Sequence, residues 1–196
     1  ADTQDNPGAG GDSNTAGILK ALVENRAEGA ALGLMVDPIA AEIAHRAGVG
    51  AEVNLTFGGH SGVDGDEPFE ALYTVEQLHD GRFDATGPFY KGAEFNLGPC
   101  ARVRIGGTRV VLACNKVQMA DQAMYRFVGI EPTEAKVLVN KSSVHFRADF
   151  APISEEILVC AAPGPMIADP ADLPWRRLRP GIRLNPLGPV WSGSAS

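Results

Sequence analysis

Two short stretches of the chain carry side chains able to act on a substrate. The first is the opening, ADTQDNPGAGGDSNT. Asp2 and Asp5 bring carboxylates and Asn6 an amide that both donates and accepts, while Gly8, Gly10 and Gly11 let backbone N–H groups approach a ligand closely. Such a loop, running into a helix start, can hold an anion such as a substrate carboxylate. The same residues also read as a capped, acidic, glycine-rich turn, and neither GK[ST] nor GxGxxG is present to make a nucleotide loop. The second stretch is KSSVHFR, residues 141–147. His145 is of a type that moves protons near neutral pH, and Arg147 can fork onto a carboxylate. Its plainer reading has His145 closing a strand end and Arg147 pairing with an acid.

Two further loops rank below these. HSGVDGDEP (60–68) offers Asp64, Asp66 and Glu67 to a hard cation but lacks the ligand order of a calcium loop. His79-Asp80-Gly81 reads as a turn. The three cysteines (Cys100, Cys114, Cys160) form no CxxC pair, and the four histidines show no HxH or HxxxH spacing. No metal is therefore expected on this chain alone. The cysteines are expected to be reduced, buried and unligated, which fits a cytoplasmic protein.

Elements must hold the two stretches in place. Residues 15–25 (TAGILKALVEN) have helical periodicity, with Asp12, Ser13 or Asn14 available as N-cap. AALGLMV reads as a buried strand near 31–36, Asp37-Pro38 starts a helix over 38–47, and EVNLTF alternates as a strand over 52–57. Two β-branched runs joined by Gly106-Gly107 predict a hairpin over 101–115, in the main sheet or an adjoining antiparallel one. A short helix is expected over 121–128, a strand over 136–140, helical structure around 145–150 and a last strand over 156–161. From Pro163 onward proline and arginine dominate, including Arg176, Arg177 and Arg179, and an extended tail is expected. The order predicts an α/β fold: a mixed sheet covered by helices, with an added β-hairpin region, in a single domain.

At 196 residues and 44% hydrophobic, the chain is long enough for one domain with a substantial core, or for two small ones. Its net charge of −7 argues against nucleic acid or an anionic membrane as main partner. No apolar run approaches the roughly 20 residues that span a bilayer. No secretion signal is recognisable at the start.

Several segments, in order, resemble a known family: DTQDNPGAGGDSNT, DPIAAEIAHRAGVGAEVNLTFGG, DGRFDATGP, VNKSSVHFRADFAPI and LPWRRLRPGIRLNPL. Together they are similar to the carboxy-terminal domain of the MlrC-type (microcystinase C-like) zinc metallopeptidases. Ala9 stands where relatives commonly carry glycine. The resemblance implies an α/β domain over 1–187 with a flexible tail over 188–196, preceded in the full-length protein by a larger amino-terminal domain. That domain would hold zinc, which polarises a scissile carbonyl and activates water. None of its ligands maps here, so the fragment alone is expected to bind no metal and to be inactive. On this resemblance the full-length protein is a peptidase or amidase acting on small peptides. Asp5 and His145 are the catalytic candidates, and Asp2, Asn6, Gly8, Gly10, Gly11 and Arg147 the substrate-binding ones. The resemblance implies that the 2–14 loop and the 141–147 segment lie near each other at one edge of the sheet, outside strand ends, where ligand crevices form. Partners would be the amino-terminal domain, a small peptide or amide, and a second copy in a homo-oligomer. The alternative is a non-catalytic α/β module for structure, oligomerisation or ligand binding.

Overall fold

The computed structural model describes residues 1–191. Contacts divide the chain into a main unit, Ala1–Met166, and a small one, Ile167–Ser196. The main unit is built on a six-stranded mixed sheet whose strands are β1 (Ala30–Val36), β2 (Glu52–Phe57), β3 (Phe69–His79), β6 (Cys100–Ile105), β7 (Thr108–Ala113) and β8 (Val137–Asn140). A separate pair, β4 (Arg82–Asp84) and β5 (Glu94–Asn96), makes a second small sheet. In the large sheet the order is β2-β3-β6-β7-β1-β8; β1 runs parallel to β7 and β8, and the other pairs are antiparallel. The α/β mixed sheet expected from the sequence is what forms.

Around β1 and β7 both faces of the sheet are covered. On one side α1 (Gly17–Glu24) and α2 (Pro38–Ala47) pack Leu19, Ala40 and Ala44 against Leu32, Met35, Leu55, Tyr73 and Val103. On the other, α3 (Ala123–Arg126), α4 (Arg147–Phe150) and the small sheet pack Met124, Tyr125 and Phe150 against Leu34, Val111 and Ala113. Strand β1 is buried on both faces, which is why AALGLMV is a continuous apolar run instead of an alternating one. Strand β2 lies at the sheet's edge with one face in water, and its burial alternates residue by residue. The 101–115 hairpin joins the main sheet, with Gly106 at φ 53 in its turn.

Two expectations are corrected. The strand expected over 156–161 reduces to a single parallel bridge between Asp2 and Cys160. Leu158 and Val159 are 62% and 57% exposed, so this apolar run has no neighbouring strand to bury it. The N-cap of α1 is also not Asp12, Ser13 or Asn14. Ala16 holds that position with no cap from its own side chain. Asp12 instead pairs with Lys116, and the Ser13 hydroxyl donates to the Leu34 carbonyl.

The small unit folds back on itself rather than running extended. A 3-10 turn, Pro170–Asp172, is capped by Asp169; Trp175 donates to the Pro170 carbonyl; Arg183 bridges Val190. Of the tail expected over 188–196, residues 192–196 lie outside the described ones.

Candidate functional site

The two stretches singled out in the sequence meet. Lys141, the first residue after β8, is buried, and its ammonium donates to Asp2 Oδ2 (2.8 Å), Asp5 Oδ2 (2.8 Å) and the Thr15 carbonyl (2.9 Å). A buried ammonium is tolerated only when its charge and its donors are both answered, and here they are. Asp5 also accepts from the backbone N–H of Ser13 (2.7 Å) and of Thr15 (2.8 Å) and from the Thr15 hydroxyl (2.9 Å). Burial by itself would raise the Asp5 pKa. The Lys141 charge and hydrogen bond, aided by the two N–H donors, outweigh it and hold the carboxyl below its ordinary range.

Above this buried clamp the opening loop turns sharply. Asn6 caps a 3-10 turn over Pro7–Ala9 by accepting from Gly8 N–H (2.9 Å), and its Nδ2 donates to Ser143 Oγ at 2.6 Å. A side chain at Gly11 would sit 2.8 Å from the Asn6 backbone nitrogen, so glycine is needed for the turn to close. Gly10 has φ 97, in the left-handed region.

Gln118 ties the second stretch to the first. Its Nε2 donates to Ser142 Oγ (2.8 Å) and lies 3.0 Å from His145 Nδ1. A Cβ at Gly8 would collide with this carboxamide, so loop and glutamine are in close contact. The His145 ring stacks on Phe89 at 4.1 Å and 17°. Buried Asp121 holds the Phe89 loop by accepting from Gly87 N–H at 2.7 Å.

The sequence-selected residues thus fall into two groups. Asp2, Asp5, Asn6 and Gly11 are buried and hold the loop's shape. Gly8, Gly10, His145 and Arg147 are exposed and face solvent at the same edge. The Arg147 guanidinium lies 5.4 Å from the Phe146 ring centroid and takes part in no ion pair among the described residues. Sequence reasoning passed over Lys141, Gln118 and Phe89. Lys141 stood inside the quoted KSSVHFR, whereas nothing local marks Gln118 or Phe89.

The loop that offers Asp64, Asp66 and Glu67 to a hard cation serves the fold instead through Asp66. Asp66 accepts from Ala16 N–H (3.2 Å), Gly59 N–H (2.9 Å) and the Ser61 hydroxyl (2.7 Å), so its carboxylate answers the start of α1. His79-Asp80-Gly81 is a turn, with Gly81 N–H donating to His79 Nδ1. Among the described residues no three His, Cys, Asp or Glu side chains come together as metal ligands. Asp2 and Asp5 already share an ammonium, so they do not fit a metal either.

The cysteines are unpaired. Cys100 is fully buried, while Cys114 and Cys160 are only partly so, which corrects the expectation that all three are buried. Among the described residues no helix is long and apolar enough to cross a membrane.

Comparison with known proteins gives three concordant results. The family model described as "MlrC C-terminus" matches residues 1–177. Microcystinase C of Sphingomonas sp. is 24% identical over 161 residues, covering 82% of this chain and 31% of that protein. A crystal structure from Mesorhizobium sp. BNC1, provisionally named a metallopeptidase, aligns with TM-score 0.79 and 25% identity, covering 99% of this chain and 38% of that one. The chain therefore spans about a third of the length of either relative.

Proposed function

Because this chain belongs to the MlrC C-terminal family, we propose that it is the carboxy-terminal domain of a zinc-dependent peptidase or amidase that cleaves amide bonds in small peptides. On this reading the zinc and its ligands lie in an amino-terminal domain outside the 196 residues, and this chain supplies the side chains that position the substrate. The observation that carries the proposal is the convergence of the opening loop and the 141–147 segment on one buried ammonium. That clamp is a costly way to shape a solvent-facing edge unless the edge has work to do.

The division of labour follows from burial. Asp2 and Asp5 act through Lys141 as positioning groups. The exposed Arg147 is of a chemistry that grips a peptide carboxylate or carbonyl. The N–H groups of Gly8, Gly10 and Gly11 are spent inside the turn on the Asn6 side chain, the Pro7 carbonyl and the Asn6 carbonyl, so these glycines shape the edge without donating to a ligand. His145, with one ring nitrogen at Gln118 and its ring stacked on Phe89, is the residue able to take up or release a proton against a bound amide. A cytoplasmic setting accompanies this reading.

The test uses the longer protein with a linear peptide as substrate. His145→Ala should lower kcat about 100-fold or more, the usual cost of a lost positioning or proton-carrying contact, with melting temperature within a degree or two of the parent. Gly8→Ala, which pushes on the Gln118 carboxamide and so on His145, should lower kcat in the same direction. Unchanged turnover in both variants, or turnover lost only in step with melting, would favour a purely structural module.

A further inference from the structure

Ala1 and Asp2 are bonded like the last rungs of a strand that has a neighbour on each side. Ala1 bonds to one flank: its nitrogen donates to the Leu158 carbonyl (2.7 Å), and its carbonyl accepts from Cys160 N–H (2.9 Å). Asp2 bonds to the other, its N–H donating to the Asn140 carbonyl (2.9 Å) at the end of β8. Successive residues of a central strand alternate in this way between their two neighbours. The bridge from Asp2 to Cys160 is parallel.

Both flanks are unfinished. Strand β8 is the last strand of the six-stranded sheet. Lys141 N–H donates to Gly33 of β1 (3.0 Å), so by the alternation of a parallel ladder Leu138 and Asn140 turn their backbone groups to the open side. On the opposite flank the Leu158 N–H and the Glu156 carbonyl make no backbone hydrogen bond among the described residues. Leu158 and Val159 lie exposed, whereas Leu138, Ile157 and Ala1 pack against one core cluster that holds Leu34 and Phe146. The connection from β8 to residue 156 passes through α4, as a crossover of about a dozen residues or more between parallel strands does. The two flanks are therefore the outer strands of a βαβ unit with a gap one strand wide, and Ala1 and Asp2 stand at the end of that gap.

We propose that the residues immediately preceding Ala1 in the longer protein form a parallel β-strand that fills this slot, pairing with β8 on one side and with 155–160 on the other. The residue before Ala1 bonds the Asn140 N–H and the Leu138 carbonyl; the one before that bonds the Leu158 N–H and the Glu156 carbonyl. This strand leads directly into Asp2, whose carboxylate accepts from the Lys141 ammonium at 2.8 Å. The preceding chain thus fixes one side of the clamp, and through it the edge that carries His145. The inference takes from the proposed function only that a longer chain precedes Ala1; whether that chain cuts peptides does not enter it.

Amide exchange in the longer protein is the test. Leu158, a ladder donor, should exchange at least about a hundredfold more slowly than Ile157 and Val159, whose N–H groups turn to the outer edge. Simple coverage by another domain would slow all three alike. Proline gives a second readout, because an edge strand accepts it only where the N–H faces outward. Leu158→Pro should therefore lower the melting temperature by several degrees more than Val159→Pro. Fast exchange at Leu158, even protection across 157–159, or equal melting of the two proline variants would overturn the inference. Protection of Leu158 that grows with protein concentration would assign the slot to a second copy, and would overturn it too. Peptide cleavage by a longer protein in which Leu158 exchanges fast would sink the strand and retain the hydrolase reading; the alternating protection in one that cleaves no peptide would do the reverse.

Discussion

Lys141 is the residue on which the candidate site depends. Replacing it by methionine would leave Asp2 and Asp5 buried with no opposing charge, and removing one partner of a buried ion pair typically costs about 3–5 kcal/mol. The expected outcome for Lys141→Met is a urea midpoint lowered accordingly. Acid gives a second readout with a definite sign. Asp5 titrates below its unfolded value near 4, so the stability it contributes is complete above that value and is lost as pH falls through the lower folded one. The parent should therefore melt earlier at pH 3 than at pH 6. In Lys141→Met the trend should flatten or reverse, because unpaired buried carboxylates gain by taking up protons. A variant melting exactly like the parent at both pH values is the result that removes the clamp from the account. Both carboxylates were visible in the sequence as polar residues of a glycine-rich loop. Their burial was not, because the lysine that permits it lies more than a hundred positions away and looks like any other lysine.

At the scale of elements, local patterning placed most of the structure. The 101–115 hairpin, the Asp37-Pro38 helix start and the alternating β2 carry their own signals in turn chemistry, capping and period. Where local signals ran out, the reasons are physical. EEILVC has strand-forming residues, but a strand needs a partner, and here only Asp2 meets Cys160. The cap of α1 came from a loop some fifty positions on, through Asp66, and Gly58 at φ 76 leaves room for that approach: a Cβ there would lie 2.8 Å from Asp66 Oδ1. Asp66→Ala should thus cost about 1–2 kcal/mol, the range for losing a helix cap. Amide exchange at Ala16 and Gly59 should quicken in the variant while β1 amides stay protected. Unaltered exchange at both positions would show that the carboxylate is not holding the helix start.

For the molecule as a whole, the sheet, covered on both faces around β1 and β7, sets which groups ever meet solvent. Cys100 opens β6 and is fully buried in the core shared with the small sheet; burial, reinforced by the nearby Cys114, pushes its thiol up to about 12. Alkylation of Cys100 should consequently wait for global opening and run at least about a thousandfold slower than that of the partly exposed Cys160. Equal labelling rates at the two positions would mean that the main unit opens locally around β6. Fold class was legible in the periodicity of the sequence and the pairing of the two stretches in the family resemblance; the structure makes that pairing with no strand among the described residues ahead of the opening loop, through the Asp2 N–H donating to the Asn140 carbonyl at the end of β8. The tie from Gln118 to His145 was not legible, since a contact across 27 positions leaves no local pattern. One feature of the clamp also bears on synthesis. Asp2 and Lys141 are 139 positions apart. While a ribosome extends the chain at roughly 5–20 residues per second, the opening loop emerges well before Lys141, with two carboxylates and no counter-charge. For several seconds those acids stay hydrated and the loop unformed. The edge that would receive a substrate comes into being only once Lys141 has followed the opening loop into solution, so a nascent protein carries no premature site.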